Sequence, residues 1–379
     1  MDKIEIIKKL PTPCYVIDEQ ALINNLEILH GVEEKAGCHI LLAQKAFSSY
    51  CTYPLIAEYL SGTTASGLFE AKLASEEMKD RQIHVFSPAY KDEEFDQLID
   101  ICDHIVFNSF SQWKHFRNRI SKDCSVQFGL RINPGYSEIE TEIYNPCAAN
   151  SRLGITLENF EPDELEGISG LHFHTMCEQG ADTLERTLEV VEKKFGKYLY
   201  NMKWLNFGGG HHISKPDYDT DKLISLVKKI REKYDVEVFL EPGEAVAINA
   251  GFLVTTVLDV TRNGMELAIV DTSAACHMPD VLEMPYRPFI ISSETAGVLP
   301  YTYRLGGPTC LAGDIIGDYS FSKPLSPGDR LVFTDMAMYS IVKNNTFNGM
   351  PLPAIWLLKA DGSTRLIKEF GYEDFKRRL

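Results

Sequence analysis

The sequence predicts an α/β protein: a (βα)8 TIM-type barrel, followed by a C-terminal all-β domain, sandwich- or barrel-like, that an N-terminal strand joins. Three observations predict it. Eight short β-rich runs alternate with amphipathic stretches between about residues 37 and 245. Beyond Gly251 the pattern changes to strands separated by Gly and Pro turns. Residues able to carry chemistry fall repeatedly at the ends of the barrel strands, where such folds place their reacting groups.

In chain order, CYVID at 14–18 reads as a strand, and a helix follows from about Glu19 to Glu34. The barrel strands are HILLAQ, GTTAS, IHVFSP, HIVFNS, VQFGLRI, GLHFH, WLNFG and VEVFLEP. Each is a short apolar run ended by polar or turn residues, as a strand buried on both faces should be. Between them, LFEAKLASEEM, DTLERTLEVVEKKFGKYLY and DTDKLISLVKKIREKY repeat apolar residues at helical spacing. FLVTTVLDVTR, MELAIVDTS, DRLVFTDMAMYSIV and AIWLLKADGSTRLIK then read as strands without intervening helices. The expected domains are 36–245 for the barrel and 1–35 with 246–379 for the β-domain, with CYVID added to the latter's sheet.

Composition narrows the function classes. The 379 residues carry 38 Lys+Arg against 54 Asp+Glu, a net charge of -16, and 44% are hydrophobic, which excludes a disordered or collagen-like chain. An acidic surface repels phosphate backbones and attracts cationic small molecules, so nucleic acid is not the expected partner. No window reaches the roughly 18 uninterrupted apolar residues of a membrane span. The opening MDKIEIIKKLPTP is charged where a signal peptide would be apolar, so a cytosolic location is expected. Nine cysteines without a C-x-x-C pair argue against a zinc ribbon, a redox motif or a disulfide framework.

Read in turn, the strand ends give Lys45, Arg131, His174, Gly208–Gly209–Gly210 and Glu241 of EPGEA. A lysine after the apolar LLA has a lowered pKa if desolvated, which frees its amine for Schiff-base chemistry; the alternative is a salt-bridge residue. Three consecutive glycines let backbone N–H groups close on an anion where barrels bind phosphate, or form only a flexible turn. His172 and His174 form an H-x-H pair that, with His211 and His212, could hold zinc; alternatively His172 is a hydrogen-bonded core residue. The lysine at the first strand end, where a metal site would want a ligand, weighs against zinc.

Lys45, His174, the triple glycine, EPG with Glu241, GGPTC with Cys310 and DMAMY with Tyr339 together resemble the alanine-racemase-like, fold-type III pyridoxal-phosphate decarboxylases. Nearly the whole chain, from TPCYVID to DMAMYS, takes part. QKAFSSY, GTTASGLFEAKLA, YNPCAANSRLG, HFHTMCE, GGGHHIS, EPGEA and HMPDVLEMPYRP look most like the carboxynorspermidine/carboxyspermidine decarboxylase branch. The resemblance implies that Lys45 carries pyridoxal 5'-phosphate and that Glu241 keeps its pyridine nitrogen protonated, with Arg131 bracing that carboxylate. His174 would stack on the ring, and Gly209, Gly210 and Tyr339 would hold the phosphate. Cys310 would protonate the substrate carbanion across a homodimer with two shared sites.

Two departures from relatives stand out. Glu244 replaces the arginine of a common EPGR motif, and Cys177 stands where relatives often place a phosphate-binding serine, which makes it a neighbour of the phosphate with a weaker donor. With Asp280, Glu283 and Asp314, Glu244 would make an acidic pocket for a carboxylated triamine, yielding norspermidine or spermidine on decarboxylation. The rivals are a decarboxylase of a smaller amino acid such as diaminopimelate or ornithine, a zinc hydrolase using His172, His174 and His211, and a non-catalytic cofactor-binding barrel.

Overall fold

The computed structural model describes residues 2–379, which form two compact units: Asn25–Val246, and the chain up to Asn24 together with Ala247–Leu379. The first boundary falls inside the helix Glu19–Ala36 and not at its end near residue 36, where the sequence suggested it. Among the described residues no helix is long and apolar enough to cross a membrane.

After β1 (Cys14–Asp18) come eight parallel strands: β2 (His39–Ala43), β3 (Gly62–Ala65), β4 (Gln82–Phe86), β5 (His104–Phe107), β6 (Gln127–Arg131), β7 (Ile168–His172), β8 (Trp204–Asn206) and β9 (Glu237–Leu240). They close in sequence order, β9 pairing with β2 through His39–Phe239 and Ile40–Leu240. All eight expected runs therefore form the barrel. Helices Leu68–Glu77, Ala181–Leu199 and Thr220–Tyr234 cover it where the helical spacing predicted them.

Aromatic volume fills the interior. Leu41, Val106, Trp204 and Phe239 form one buried cluster, and the Trp204 indole lies over two strands that carry glycine at the facing positions. An added Cβ would come within 1.9 Å of that indole at Gly170 and 2.2 Å at Gly129, so neither position tolerates a side chain. Beside the cluster, the rings of His84 and His104 stack with centroids 3.9 Å apart, and Phe239 packs on both.

The second unit is a nine-stranded sheet organised by the long strand β10 (Gly251–Asn263). Its remaining strands are β11 (Met265–Val270), β12 (Ser293–Thr295), β13 (Tyr301–Gly306), β14 (Ile315–Phe321), β15 (Arg330–Thr334), β16 (Ala354–Leu358) and β17 (Thr364–Lys368). The first half of β10 pairs with β1 and β15. After a register shift between Val257 and Asp259, the second half pairs with β11. β1 is buried along its whole length between β10 and β16, so CYVID joins this sheet as expected.

Three features differ from the sequence reading. β12, β13 and β14 were not anticipated. Short helices, Ala274–His277 and Asp280–Glu283, interrupt the run of strands. DMAMYSIV is not strand: β15 stops at Thr334 because Asp335 and Tyr339 take left-handed φ values of 60° and 51°, outside the β region.

The stacked histidines make barrel stability depend on acid. Burial holds His104 down at about 4 and lowers His84 well below the usual range, with His39 and His172 adding like-charge opposition around them. Free imidazoles titrate near 6.5, so below that pH the unfolded chain binds more protons and stability declines until about pH 4. The melting temperature should fall across this window, and less steeply for His104→Phe. Equal slopes for both proteins would contradict the assignment.

Candidate active site

A cavity of about 480 Å³ opens at the C-terminal ends of the barrel strands. Lys45, Arg131, His174 and Glu241 all line it, so these four sequence-predicted residues come together. Lys45 sits in the turn after β2. That turn is held by hydrogen bonds from Ala43 N–H to the Pro242 carbonyl (3.1 Å) and from Gln44 N–H to the Thr64 carbonyl (3.1 Å). The EPG turn after β9 approaches so closely that a Cβ at Gly243 would lie 2.6 Å from that of Ala46, which explains the glycine.

The electrostatics favour a reactive amine. Burial lowers the pKa of Lys45, and the Arg131 guanidinium lowers it further, with Glu241 opposing both. The neutral form of an amine is the one that attacks a carbonyl. Burial also raises Glu241, against the pull of Asn206, Thr64, Lys45 and Arg131. Asn206 Nδ2 donates to Glu241 Oε1 (2.8 Å), while its Oδ1 accepts the Gly208 N–H (2.8 Å), so one amide aims the carboxylate and ties it to the glycine turn. Arg131 instead donates to the His174 carbonyl (3.2 Å) and lies over the Phe86 ring at 4.6 Å. Glu241 is braced directly by Asn206 and by the Thr64 hydroxyl, and the sequence reading passed over Asn206. Its signal was a polar residue ending the buried strand WLN.

His174 lies two residues beyond β7, and its Nδ1 accepts the Gly209 N–H (3.1 Å). Burial, Lys45 and Arg131 hold its pKa well below the usual range, so the ring is neutral and its proton resides on Nε2. The Gly209 N–H is thus committed to the imidazole. Gly210 has φ 85°, and a Cβ there would lie 2.0 Å from the Met176 carbonyl and 2.8 Å from Cys177 N. The glycine turn therefore packs directly on the segment carrying Cys177. Burial raises that thiol to about 11, keeping it protonated and able to donate.

Two imidazole–carboxylate groups gather nearby. His172, His174 and Glu241 place ligand atoms within 4.8 Å of one another, as do Glu178, His212 and Glu244. His212 Nε2 stands 3.0 Å from Glu244 Oε2. His211 belongs to neither group, and the cations Lys45 and Arg131 share the cavity of the first. The His172–His174–His211 zinc set is therefore not assembled.

The other predicted residues lie in the β unit. Cys310 is exposed in the loop after β13, its N–H donating to Asn348 Oδ1 (2.8 Å). Asp314 is buried and accepts from Ser273 Oγ (2.9 and 3.0 Å), Thr309 Oγ1 (2.6 Å) and Ala275 N–H (3.2 Å). Asp280 and Glu283 both pair with Lys343. Tyr339 is half-buried in the left-handed turn after β15.

A lysine with a lowered pKa open to the cavity, a buried carboxylate aimed by an amide, a neutral imidazole and a glycine turn too tight for any Cβ fit pyridoxal phosphate. In the comparisons with known proteins, the profile described as "Pyridoxal-dependent decarboxylase, C-terminal sheet domain" matches residues 14–337. Fold and site together define a pyridoxal-dependent decarboxylase, a carboxy-lyase. A carboxynorspermidine/carboxyspermidine decarboxylase from Campylobacter jejuni subsp. jejuni is 45% identical over 98% of this chain and 99% of its own. One from Herminiimonas arsenicoxydans is 36% identical over 97% and 98%, and the carboxyaminopropylagmatine decarboxylase of a Synechocystis species is 41% identical over 98% and 96%. The crystal structure of carboxynorspermidine decarboxylase from Campylobacter jejuni complexed with norspermidine superposes with a TM-score of 0.91 at 44% identity, covering 98% of this chain and all of that one. The chain belongs to the carboxynorspermidine/carboxyspermidine decarboxylase family, which sets the zinc-hydrolase and non-catalytic readings aside.

If Asn206 aims Glu241, then Asn206→Leu should leave the barrel folded but lower retention of pyridoxal phosphate, read as visible absorbance after dialysis, by about tenfold, roughly 1.4 kcal/mol. Unchanged retention would show that the carboxylate needs no such support.

Proposed function

We propose that the protein decarboxylates carboxynorspermidine or carboxyspermidine, releasing norspermidine or spermidine in polyamine biosynthesis, and that it does so as a cytosolic homodimer. The observation that supports this most is the joining of Lys45, Glu241 and His174 around one cavity in a chain that resembles such decarboxylases along its whole length. Nine free cysteines suit a reducing compartment.

Bound pyridoxal phosphate supplies an electron sink for the carbanion left when carbon dioxide departs. The chain's own residues do the rest. Lys45, its pKa lowered, would hold the cofactor through its amine. Glu241, fixed by Asn206, holds a proton at the pyridine nitrogen. His174, locked by the Gly209 N–H, would pack on the cofactor ring and orient it. The Gly210 N–H and the Cys177 thiol would hold the phosphate, with the Tyr339 hydroxyl as a further donor. Cys310, exposed on the β unit, delivers a proton to Cα in the neighbouring subunit's barrel. Glu244, Asp280 and Glu283 make the surroundings attractive to ammonium groups. Asp314 enters as the support of the Cys310 loop, since its oxygens already accept from Ser273 and Thr309.

The 41% identical carboxyaminopropylagmatine decarboxylase motivates a second reading, in which the distal group is a guanidinium. Diaminopimelate is disfavoured because its distal carboxylate would meet Glu244 where relatives carry arginine. Measured kcat/KM should be highest for a carboxylated triamine, and preference for carboxyaminopropylagmatine or diaminopimelate would overturn the choice. Cys310→Ala should lower kcat on the order of a hundredfold. Mixing it with an inactive Lys45→Ala chain should restore part of the activity if sites are shared, whereas no recovery would argue for self-contained subunits.

A further inference from the structure

Every acidic residue considered so far for the substrate's amines already has a partner. Glu244 faces His212, Asp280 and Glu283 share Lys343, Asp314 accepts from three residues, and Glu241 is held by Asn206. The cavity nevertheless has a second carboxylate in its wall: Glu142, on the 3-10 turn Glu142–Tyr144. Among the described residues its carboxylate takes no hydrogen bond or ion pair, although Lys45, Arg131 and Arg152 line the same cavity.

The turn is held from both sides. Glu138, just before it, receives two hydrogen bonds from Arg186 (2.6 and 2.7 Å) and one from Thr183 (3.0 Å). Just after it, Asn145 Nδ2 donates to the Ile139 carbonyl (3.2 Å) and its Oδ1 accepts the Cys147 N–H (2.9 Å). Further on, Asn133 donates to the Leu153 carbonyl (3.1 Å) and Asn108 to that of Arg152 (2.8 Å). Between these anchors Ile143 remains 75% exposed. Glu142 is itself exposed at the cavity rim, so its carboxylate is open to a cation that arrives with the ligand.

We propose that Glu142 is the specificity-determining residue for the substrate's distal cation: its carboxylate receives the terminal ammonium of the carboxylated triamine while the amino-acid end lies at Lys45. The inference rests on the substrate class proposed above and extends it to a residue in the barrel unit.

The test compares wild-type and Glu142→Gln holoenzymes. With carboxynorspermidine the variant should show KM raised about tenfold with kcat within twofold, and norspermidine measured by calorimetry should bind about tenfold more weakly. An analogue with a methyl group in place of the distal amine should be handled equally by both proteins. Unchanged norspermidine affinity, or an equal loss on the analogue, would overturn the role of Glu142. Calorimetry decides this point even for a protein that turns over neither triamine, so failure of the proposed reaction and failure of the proposed contact give different results. Glu142→Asp, which keeps the charge, should recover part of the affinity, while no recovery together with loss of cofactor absorbance would assign the residue to structure alone.

Discussion

The Lys45 amine opens into the cavity at the mouth of the barrel beside a buried guanidinium and a buried carboxylate, and the surrounding structure serves to make the burial of those two charges tolerable. Ionised groups removed from water cost several kcal/mol each unless compensated. Here desolvation outweighs attraction at Lys45 and Glu241 alike: one is shifted down, the other up. The compensation is local and polar. Asn206 bonds Glu241, the His174 carbonyl accepts from Arg131, and Phe86 lies against the guanidinium.

The glycines follow from the same constraint. Gly243 lets the turn bearing Glu241 close on the turn bearing Lys45, while Gly209 and Gly210 press against the Glu241 carbonyl and the Met176–Cys177 backbone. Deeper in the barrel, Gly129 and Gly170 leave room for Trp204, so the apolar plug beneath the cavity is as closely fitted as the site above it.

Much of this was legible in the sequence because strands buried on both faces read as apolar runs with sharp ends, and strand ends are where the barrel exposes side chains. Lys45, Arg131, His174 and Glu241 stand at such strand ends and line one cavity. Asn206 and Glu142 were passed over. Asn206 acts through another residue, and Glu142 stands in a loop whose position depends on anchors at Asn108, Thr183 and Arg186, distant in sequence. Strands β13 and β14 were missed because the half-exposed face of an antiparallel sheet mixes charged and apolar residues, and Gly317 interrupts the pattern in β14. Asp314 looked like a pocket residue because sequence position alone gives no measure of burial.

The acidic composition acquires a place in this account. A net charge of -16 supplies general attraction for a polycation, while selectivity falls to carboxylates in the cavity wall. In the proposed function, polyamine recognition falls to Glu142 and the chemistry to Lys45. Borohydride reduction of the purified protein, followed by peptide mass mapping, tests the second dependence most directly. The account predicts a single stable pyridoxyl adduct, carried by the peptide containing Lys45. An adduct on any other lysine, or none in protein that decarboxylates, would contradict it.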